Sequence, residues 1–426
     1  MTILVNGTSY NFTATASTPA PYDGPYTYAW DFGDGTTGTG SPSAKTFSSN
    51  GIFRATVTAT NSANSSTASA SKTHTIIGSE TSPPNMITAR LGHKSIALNN
   101  GKILIVGGAS NTTNIGANVA LSNCEIYDPV ANTFTATGSL NSARCAFTLV
   151  KLSNGDILCC GGTVGFYFYL NGNVGTTYST CEVYSVTNGT WSYTTNPMSS
   201  ARCFHGANLL PSGKVLVHGG LSSSLTPVNT TEIYDPTAGT WTSGPTLPEN
   251  KFCHGYVQKY DGSIYIWGGA TGAKTVKYVE GVGLSNLSDT LTEQAPSIWA
   301  QSFGIAMDTI YAACGLVGSS GFSNAGSHVY TYNTLTDTWS DKGAIAPNGW
   351  GGFGVCNNSG LLFGGLANNT TYAGFYSSSL KDLPVTSFNS QFSDCVSIGS
   401  GKFLITGGYT SSIGATNSCA IYYVGN

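Results

Sequence analysis

Six histidines are available for chemistry: His74, His93, His205, His218, His254 and His328. A metal centre or a general base would draw on them, yet no His-x-His, Cys-x-x-Cys or His-Glu-x-x-His spacing occurs. Three of them, His93, His205 and His254, fall at one recurring position ahead of a glycine pair. Recurrence of that kind points to architecture, with each imidazole bonding backbone in its own repeat. His218, directly before Gly219-Gly220, reads as a packed core residue. The acids Glu125, Glu182 and Glu232 also share one position, and the recurring arginines Arg90, Arg144 and Arg202 are their natural partners. No Gly-x-Ser-x-Gly nucleophile elbow is present. A carboxylate pair for glycoside cleavage stays open, because a site can be assembled from distant repeats, although the chain has only 20 acidic residues. The expectation is a chain with no catalytic residues, no metal ligands and no cofactor.

The eleven cysteines follow the same logic. Cys145, Cys203 and Cys253 read as occupants of one repeat position, and Cys124, Cys181 and Cys419 of another, where a third copy carries Thr231. A compact hydrophobe fills such a small buried slot well. Cys159 and Cys160 are neighbours in a strand and point to opposite faces, so they should not pair. Free thiols are expected, as in a reducing cytoplasm, with one or two disulfides as the alternative. The odd count leaves at least one thiol unpaired unless chains cross-link.

The elements that must hold these residues are legible from a repeat. Seven short apolar strands end in a glycine signature: Val106-Gly107-Gly108, Cys160-Gly161-Gly162, His218-Gly219-Gly220, Trp267-Gly268-Gly269, Ala313-Cys314-Gly315, Phe363-Gly364-Gly365 and Thr406-Gly407-Gly408. Their spacing lies in the range of propeller blades, and one such unit cannot bury both its faces alone. A tight turn such as Asn99-Asn100-Gly101 or Pro211-Ser212-Gly213 precedes each strand. A third strand follows, as in Cys124-Glu125-Ile126-Tyr127-Asp128, and a fourth opens on an aromatic: Phe134, Trp191, Trp241 or Trp339. Four strands per repeat are expected, and an all-β chain.

Arg90 with His93, Arg202 with His205, the glycine pairs and the later Tyr and Trp resemble the kelch repeat, over Met86 to Asn426. That resemblance implies a seven-bladed kelch-type β-propeller spanning 86–426. Some kelch-type propellers are copper-radical oxidases, whose site needs two histidines and tyrosines on the axis, one tyrosine linked to a cysteine. Histidines repeated in register do not fit that site. Ahead of them, Trp30-Asp31-Phe32-Gly33-Asp34-Gly35 is similar to the PKD domain, an immunoglobulin-like module. The resemblance implies an N-terminal immunoglobulin-like β-sandwich over 1–78, with Trp30, Phe47, Phe53 and Val57 in its core. Asp31 is expected to hold nearby backbone donors; calcium at Asp31 and Asp34 is the alternative. Residues 79–85, with Pro83-Pro84, read as a short stiff linker.

Charged residues make up 9% of the chain, against about a quarter in ordinary soluble domains, and the net charge is −3. Without a basic stripe, nucleic acid is not an expected partner, and no apolar run is long enough for membrane insertion. Neutral, hydroxyl-rich surfaces suit a virion-exposed or cell-surface protein. The opening Met1-Thr2-Ile3-Leu4-Val5 lacks a basic start and a long apolar run, so no secretory signal peptide is read there. The expectation is a non-enzymatic virion-surface protein of a bacteriophage, in capsid or tail decoration or host attachment, among other structural proteins of the particle. A secreted or cell-envelope adhesin is the alternative.

Loop length is one-sided. The second-to-third connections are long: Ala109 to Asn123, Thr163 to Thr180 and Leu221 to Thr230. One-sided loops commonly mark the working face of a repeat array. Four consecutive aromatics, Phe166, Tyr167, Phe168 and Tyr169, sit on the second of them and are the candidate ligand-binding residues, suited to a host glycan or protein. Folding over neighbouring loops or plugging the central channel is the structural alternative.

Overall fold

The computed structural model describes residues 10–16, 25–46, 51–76, 78–79, 83–110, 119–165, 175–224, 226–269, 274–290, 302–306, 308–313, 328–344, 350–357, 360–367, 370–376, 380–382, 393–399, 402–410 and 414–423. Every regular element among them is a β-strand, and the chain divides into two compact units, Met1–Glu80 with Tyr423–Asn426, and Thr81–Tyr422.

In the first unit, alternation of apolar and polar residues builds a four-stranded antiparallel sheet. Its order is Thr37–Thr39, Tyr26–Asp31, Gly51–Asn61, Thr67–Ile76. Ala55, Val57 and Ala59 of the long third strand are buried while Thr56, Thr58 and Thr60 alternate with them on the other face. Tyr10–Phe12 pairs with Ser43–Lys45 as a separate two-stranded sheet and brings Phe12 against Trp30, ring centroids 5.5 Å apart. Phe12, Trp30, Phe32, Ala55 and Val57 form the core. The indole nitrogen of Trp30 donates to the Gly40 carbonyl at 2.8 Å. Of the expected core, Trp30 and Val57 are buried, whereas Phe47 and the Phe53 side chain lie outside what is described.

The second unit repeats one antiparallel pattern. Its first sheet runs Lys94–Ala97, Ile103–Val106, Cys124–Asp128, Thr133–Thr137, and its second runs Thr148–Lys151, Ile157–Cys160, Cys181–Ser185, Thr190–Tyr193. The third runs Gly206–Leu209, Val215–His218, Thr231–Asp235, Thr240–Ser243. Sheets of the same order begin at Gly255, Ser302 and Trp350. The last sheet holds Asp394–Gly399, Lys402–Thr406 and Cys419–Tyr423 as successive neighbours. The fourth and sixth sheets form although their later strands lack the Glu-x-Tyr and Trp marks.

The second strands of the first four sheets are buried on both faces because their residues alternate between two neighbouring sheets. In the first sheet, Leu104 and Val106 pack with Phe147 and Ile157 of the second, and Ile103 and Ile105 pack with Leu404 and Ile421 of the last. The first strands touch in succession, and Asp394–Gly399 touches Lys94–Ala97, so the contacts close a ring. The arrangement is propeller-like.

Turn chemistry is repeated as well. The amides of Leu98, Leu152, Leu210 and Lys259 each bond the carbonyl four residues on, across turns whose Gly101, Gly155, Gly213 and Gly262 have φ between +79° and +92°. Between third and fourth strands, Oδ1 of Asp128, Asp235 and Asn333 each accepts two backbone amides. Tyr127 with Phe134, Tyr184 with Trp191, Tyr234 with Trp241 and Tyr332 with Trp339 then face one another across those strands at 4.8–5.1 Å between centroids.

Candidate functional site

The recurring arginines and glutamates do pair. Arg90–Glu125, Arg144–Glu182 and Arg202–Glu232 are ion pairs of 2.6–2.7 Å whose side chains are almost wholly buried. In each, the guanidinium also donates to two carbonyls: those of Gly107 and Asn123, of Gly161 and Thr180, and of Gly219 and Thr230. Each carboxylate accepts two backbone amides from the incoming connection, as Glu182 does from Asn141 and Ser142. These ion pairs hold the entry to a sheet; Arg144 Nε also donates to the Ser142 carbonyl, while Nε of Arg90 and of Arg202 is buried without a hydrogen-bond partner. In the fourth sheet Lys251 takes the arginine's place and donates to the carbonyls of Gly268 and Lys274.

The glycine pairs form a cradle for a ring. A Cβ at Gly161 would stand 2.4 Å from the Arg202 carbonyl oxygen and 2.8 Å from Cε1 of His205, which belongs to the next sheet. A Cβ at Gly162 would meet Cβ of Phe147, in its own sheet, at 3.0 Å. Gly219 with His254 and Gly407 with His93 repeat the first contact. In four of the pairs the second glycine donates to the next sheet: Gly108 to the Arg144 carbonyl, Gly162 to Arg202, Gly220 to Lys251 and Gly408 to Arg90. Only glycine meets both the positive φ and the close approach here.

The histidine partners differ from the expectation of backbone within the same repeat. Each ring reaches across to a side chain of the preceding sheet: His93 Nε2 to Thr406 Oγ1 at 2.8 Å, His205 Nε2 to Thr148 Oγ1 at 3.0 Å, and His254 Nε2 to His218 Nδ1 at 2.8 Å. The cradle explains this, because the ring lies over the previous sheet's glycine and reaches the side chains beside it. His218 is fully buried as anticipated, but in a polar chain, its Nε2 3.1 Å from Asn208 Oδ1. With Asn208 Oδ1 as acceptor, His218 donates through Nε2 and receives the His254 proton at Nδ1. Burial pushes all four imidazoles down, His218 to about 3 and the others well below the usual histidine range. Nearby Arg90 and Lys94 add to the effect at His93, and Arg202 at His205 and His218. They stay neutral at physiological pH.

The thiols are free at all nine described cysteines. Cys124, Cys181 and Cys419 share a geometry, each Sγ near the carbonyl two residues back. Cys159 and Cys160 belong to different inter-sheet cores, as their opposite directions require. One alignment needs correction. Cys145 and Cys203 match Leu91 and Phe252, whereas Cys253 matches Ala146 and Phe204, which share its φ of +52° to +54° and its partial burial. Phe252 takes the slot that Cys145 and Cys203 fill, and Cys253 stands one residue after it. Burial drives Cys124, Cys145 and Cys419 up to about 11, about 12 and about 12.

In the first unit, Asp31 Oδ1 accepts the Gly33 amide and Asp34 Oδ1 accepts the Thr36 amide. Lys45 meets Asp34 Oδ2 at 2.6 Å and helps hold that carboxyl down at about 2. The Asp34 carboxylate is thus paired with a lysine of its own domain.

What the repeat does not consume is at the second-to-third connections. Ala109–Ser110 pairs with Val119–Ala120, Thr163 bridges Thr177, Leu221 bridges Pro227, and Tyr409–Thr410 pairs with Gly414–Ala415. The Ala120 amide donates to the Val164 carbonyl at 3.3 Å, tying the first stem to the second. Val119 and Val164 are exposed on these stems, Val119 by 64%. The Arg144 guanidinium lies 4.8 Å from the centroid of the Tyr178 ring at the second stem's return. Phe166, Tyr167, Phe168 and Tyr169 belong to the loop this stem carries and lie outside the described residues.

Comparison with known proteins agrees with this geometry. The family model of the PKD domain matches residues 2–76, and that of the Kelch motif matches residues 202–248. The chain carries a PKD domain followed by kelch sequence. The kelch match runs from Arg202 through Glu232 and Trp241, so it covers an ion pair, a glycine cradle and an aromatic strand of the third sheet. Among solved structures, "Structure of YjhT" is 12% identical with a TM-score of 0.52, and the alignment covers 79% of this chain and 96% of that one. At that identity the likeness concerns the fold alone. No curated protein matches the chain significantly in sequence.

Proposed function

We propose that the kelch portion is a seven-bladed propeller and the PKD portion an immunoglobulin-like sandwich, together forming a non-enzymatic recognition protein on the exterior of a virion. The propeller presents its second-to-third loops to a host glycan or protein, and the PKD domain spaces or docks it among other structural proteins. The observation that carries this reading is the division of labour between the two sets of residues. The recurring Arg, Glu and His are consumed in joining sheets, while the second-to-third connections open on paired stems that this framework does not use. Low charge with abundant hydroxyls supports an exterior setting.

Binding of the purified chain to host cells, with Tyr167→Ala and Tyr169→Ala beside the wild type, tests the recognition surface. Both variants should bind more weakly while retaining the wild-type melting temperature; unchanged binding in both removes the loop from the reading. Immunogold electron microscopy of native material tests the setting, and label on cell envelopes instead of particles favours an adhesin. Stoichiometric copper in the purified protein would overturn the non-enzymatic reading.

A further inference from the structure

One hollow on the outer rim of the kelch portion breaks the repeat. It has a volume of about 330 Å³ and lies between the outermost strand of the third sheet and the connection that enters that sheet. Two fillers close the corresponding place in the second sheet. Tyr193, opposite Glu182, bonds Ser142 Oγ at 2.6 Å, and Asn141 reaches over to Glu182 Oε2 at 2.9 Å and the Trp191 carbonyl at 3.2 Å. In the first sheet Ala136 stands opposite Glu125, but Ile87, 58% exposed, takes the position of Asn141. The third sheet alone among these has small residues at both positions, Ser243 opposite Glu232 and Ser199 in place of Asn141.

Trp241 forms part of the wall. Its ring is half-buried, set against Tyr234 at 4.9 Å between centroids, and its Nε1 donates to the Asn196 carbonyl at 3.1 Å. The indole's polar edge is thereby occupied, and what it offers a ligand is aromatic surface. Ser199, Thr240 and Ser243 add hydroxyls around it, and Pro197 a second apolar surface. Glu232 also borders the hollow, but its carboxylate is committed to Arg202 at 2.6 Å and to the Ser199 and Ser200 amides. The lining therefore carries no uncompensated charge, which disfavours anionic and cationic ligands alike.

We propose that this hollow is a subsite for one neutral pyranose residue, separate from the loop face. An aromatic surface matches the C–H face of a sugar ring, and neighbouring hydroxyls match its equatorial groups. The volume lies at the low end of small-molecule pockets, the size of a single sugar with its water. A shallow site of this kind should bind a monosaccharide in the millimolar range, roughly 4 kcal/mol.

Saturation-transfer NMR on the full chain tests it, with methyl β-glucopyranoside, methyl β-galactopyranoside and N-acetylglucosamine as probes and sialic acid as the charged comparison. At least one neutral probe should receive saturation and sialic acid should not. Ser243→Tyr, which restores the closed pattern of the second sheet, should abolish the transfer, and Trp241→Ala should weaken it at least tenfold. Should Trp241→Ala fail to fold, Ser243→Tyr with an unchanged melting temperature decides alone. No transfer from any neutral probe, stronger transfer to sialic acid, or wild-type transfer in Ser243→Tyr would each overturn the assignment. Loss of the signal only in Tyr167→Ala or Tyr169→Ala would move sugar binding to the loop face and overturn it as well.

Discussion

Acid should loosen this protein through four imidazoles. His93, His205, His218 and His254 are 0–5% exposed, and burial holds their folded pKa values far below the reference value of 6.5. A group whose folded pKa is depressed binds its proton in the unfolded chain first, so stability falls as the pH drops below about 6.5. Between pH 7 and pH 5, each imidazole that stays neutral in the fold costs about 1.9 kcal/mol. Four together cost roughly 7–8 kcal/mol, comparable to the whole stability of an ordinary domain at about 5–15 kcal/mol. Carboxylates contribute little in that window because unfolded Asp and Glu titrate near 4. Unfolding in guanidinium under a pH-stat at pH 5.5 counts the protons directly. Each of the four groups should take up about 0.9 proton, close to 3.6 in all. His205→Phe, copying Phe147 in the preceding sheet, should lower the uptake to about 2.7 and shift the acid midpoint to lower pH. Uptake below about one proton, or no change in His205→Phe, would refute the reasoning.

The remaining expectations concern the framework. Gly161→Ala puts a methyl 2.4 Å from the Arg202 carbonyl oxygen at φ +59° and should cost at least about 2–3 kcal/mol, whereas Gly101→Ala, with open space around it, should cost about 1–2 kcal/mol; denaturant midpoints compare them. Arg202→Met leaves Glu232 buried without its partner and should cost about 3–5 kcal/mol, with much of that recovered in the Arg202→Met, Glu232→Met double variant. Ellman's reagent on native protein at pH 8 should leave the seven buried thiols unreacted, so that at most four of the eleven cysteines respond until denaturant is added.

The repeat was readable because every sheet must solve the same problem with the same residues. A strand buried on both sides demands an apolar run, and a positive φ beside a neighbouring ring demands glycine, so both signals survive in a one-dimensional string. The pairing of Glu182 with Arg144 was legible for the same reason, since both recur in step. Partners in the adjoining sheet were not. Thr148 and Thr406 look unremarkable in their own repeats, and only the overlap of one sheet's ring with the previous sheet's glycine brings them to His205 and His93. The misplacement of Cys253 had a related cause, because the backbone angle it shares with Ala146 and Phe204 leaves no mark in residue type. The rim hollow was invisible because it follows from two small residues, Ser199 and Ser243, that meet only once the strands are paired.

The Gly408 amide donates to the Arg90 carbonyl at 2.7 Å, the Met86 amide to that of Asn417 at 2.9 Å, and the Ser95 amide to Asp394 Oδ2 at 2.5 Å. Residues synthesised first thus wait for residues synthesised some three hundred positions later. Until the ribosome has delivered them, the leading sheet stands with an unsatisfied flank, open to chaperones and to other nascent chains. Assembly yield should therefore hinge on delivery of residues 394–417, and a premature stop after Phe403 should send the product to aggregation or proteolysis instead of leaving a smaller working ring.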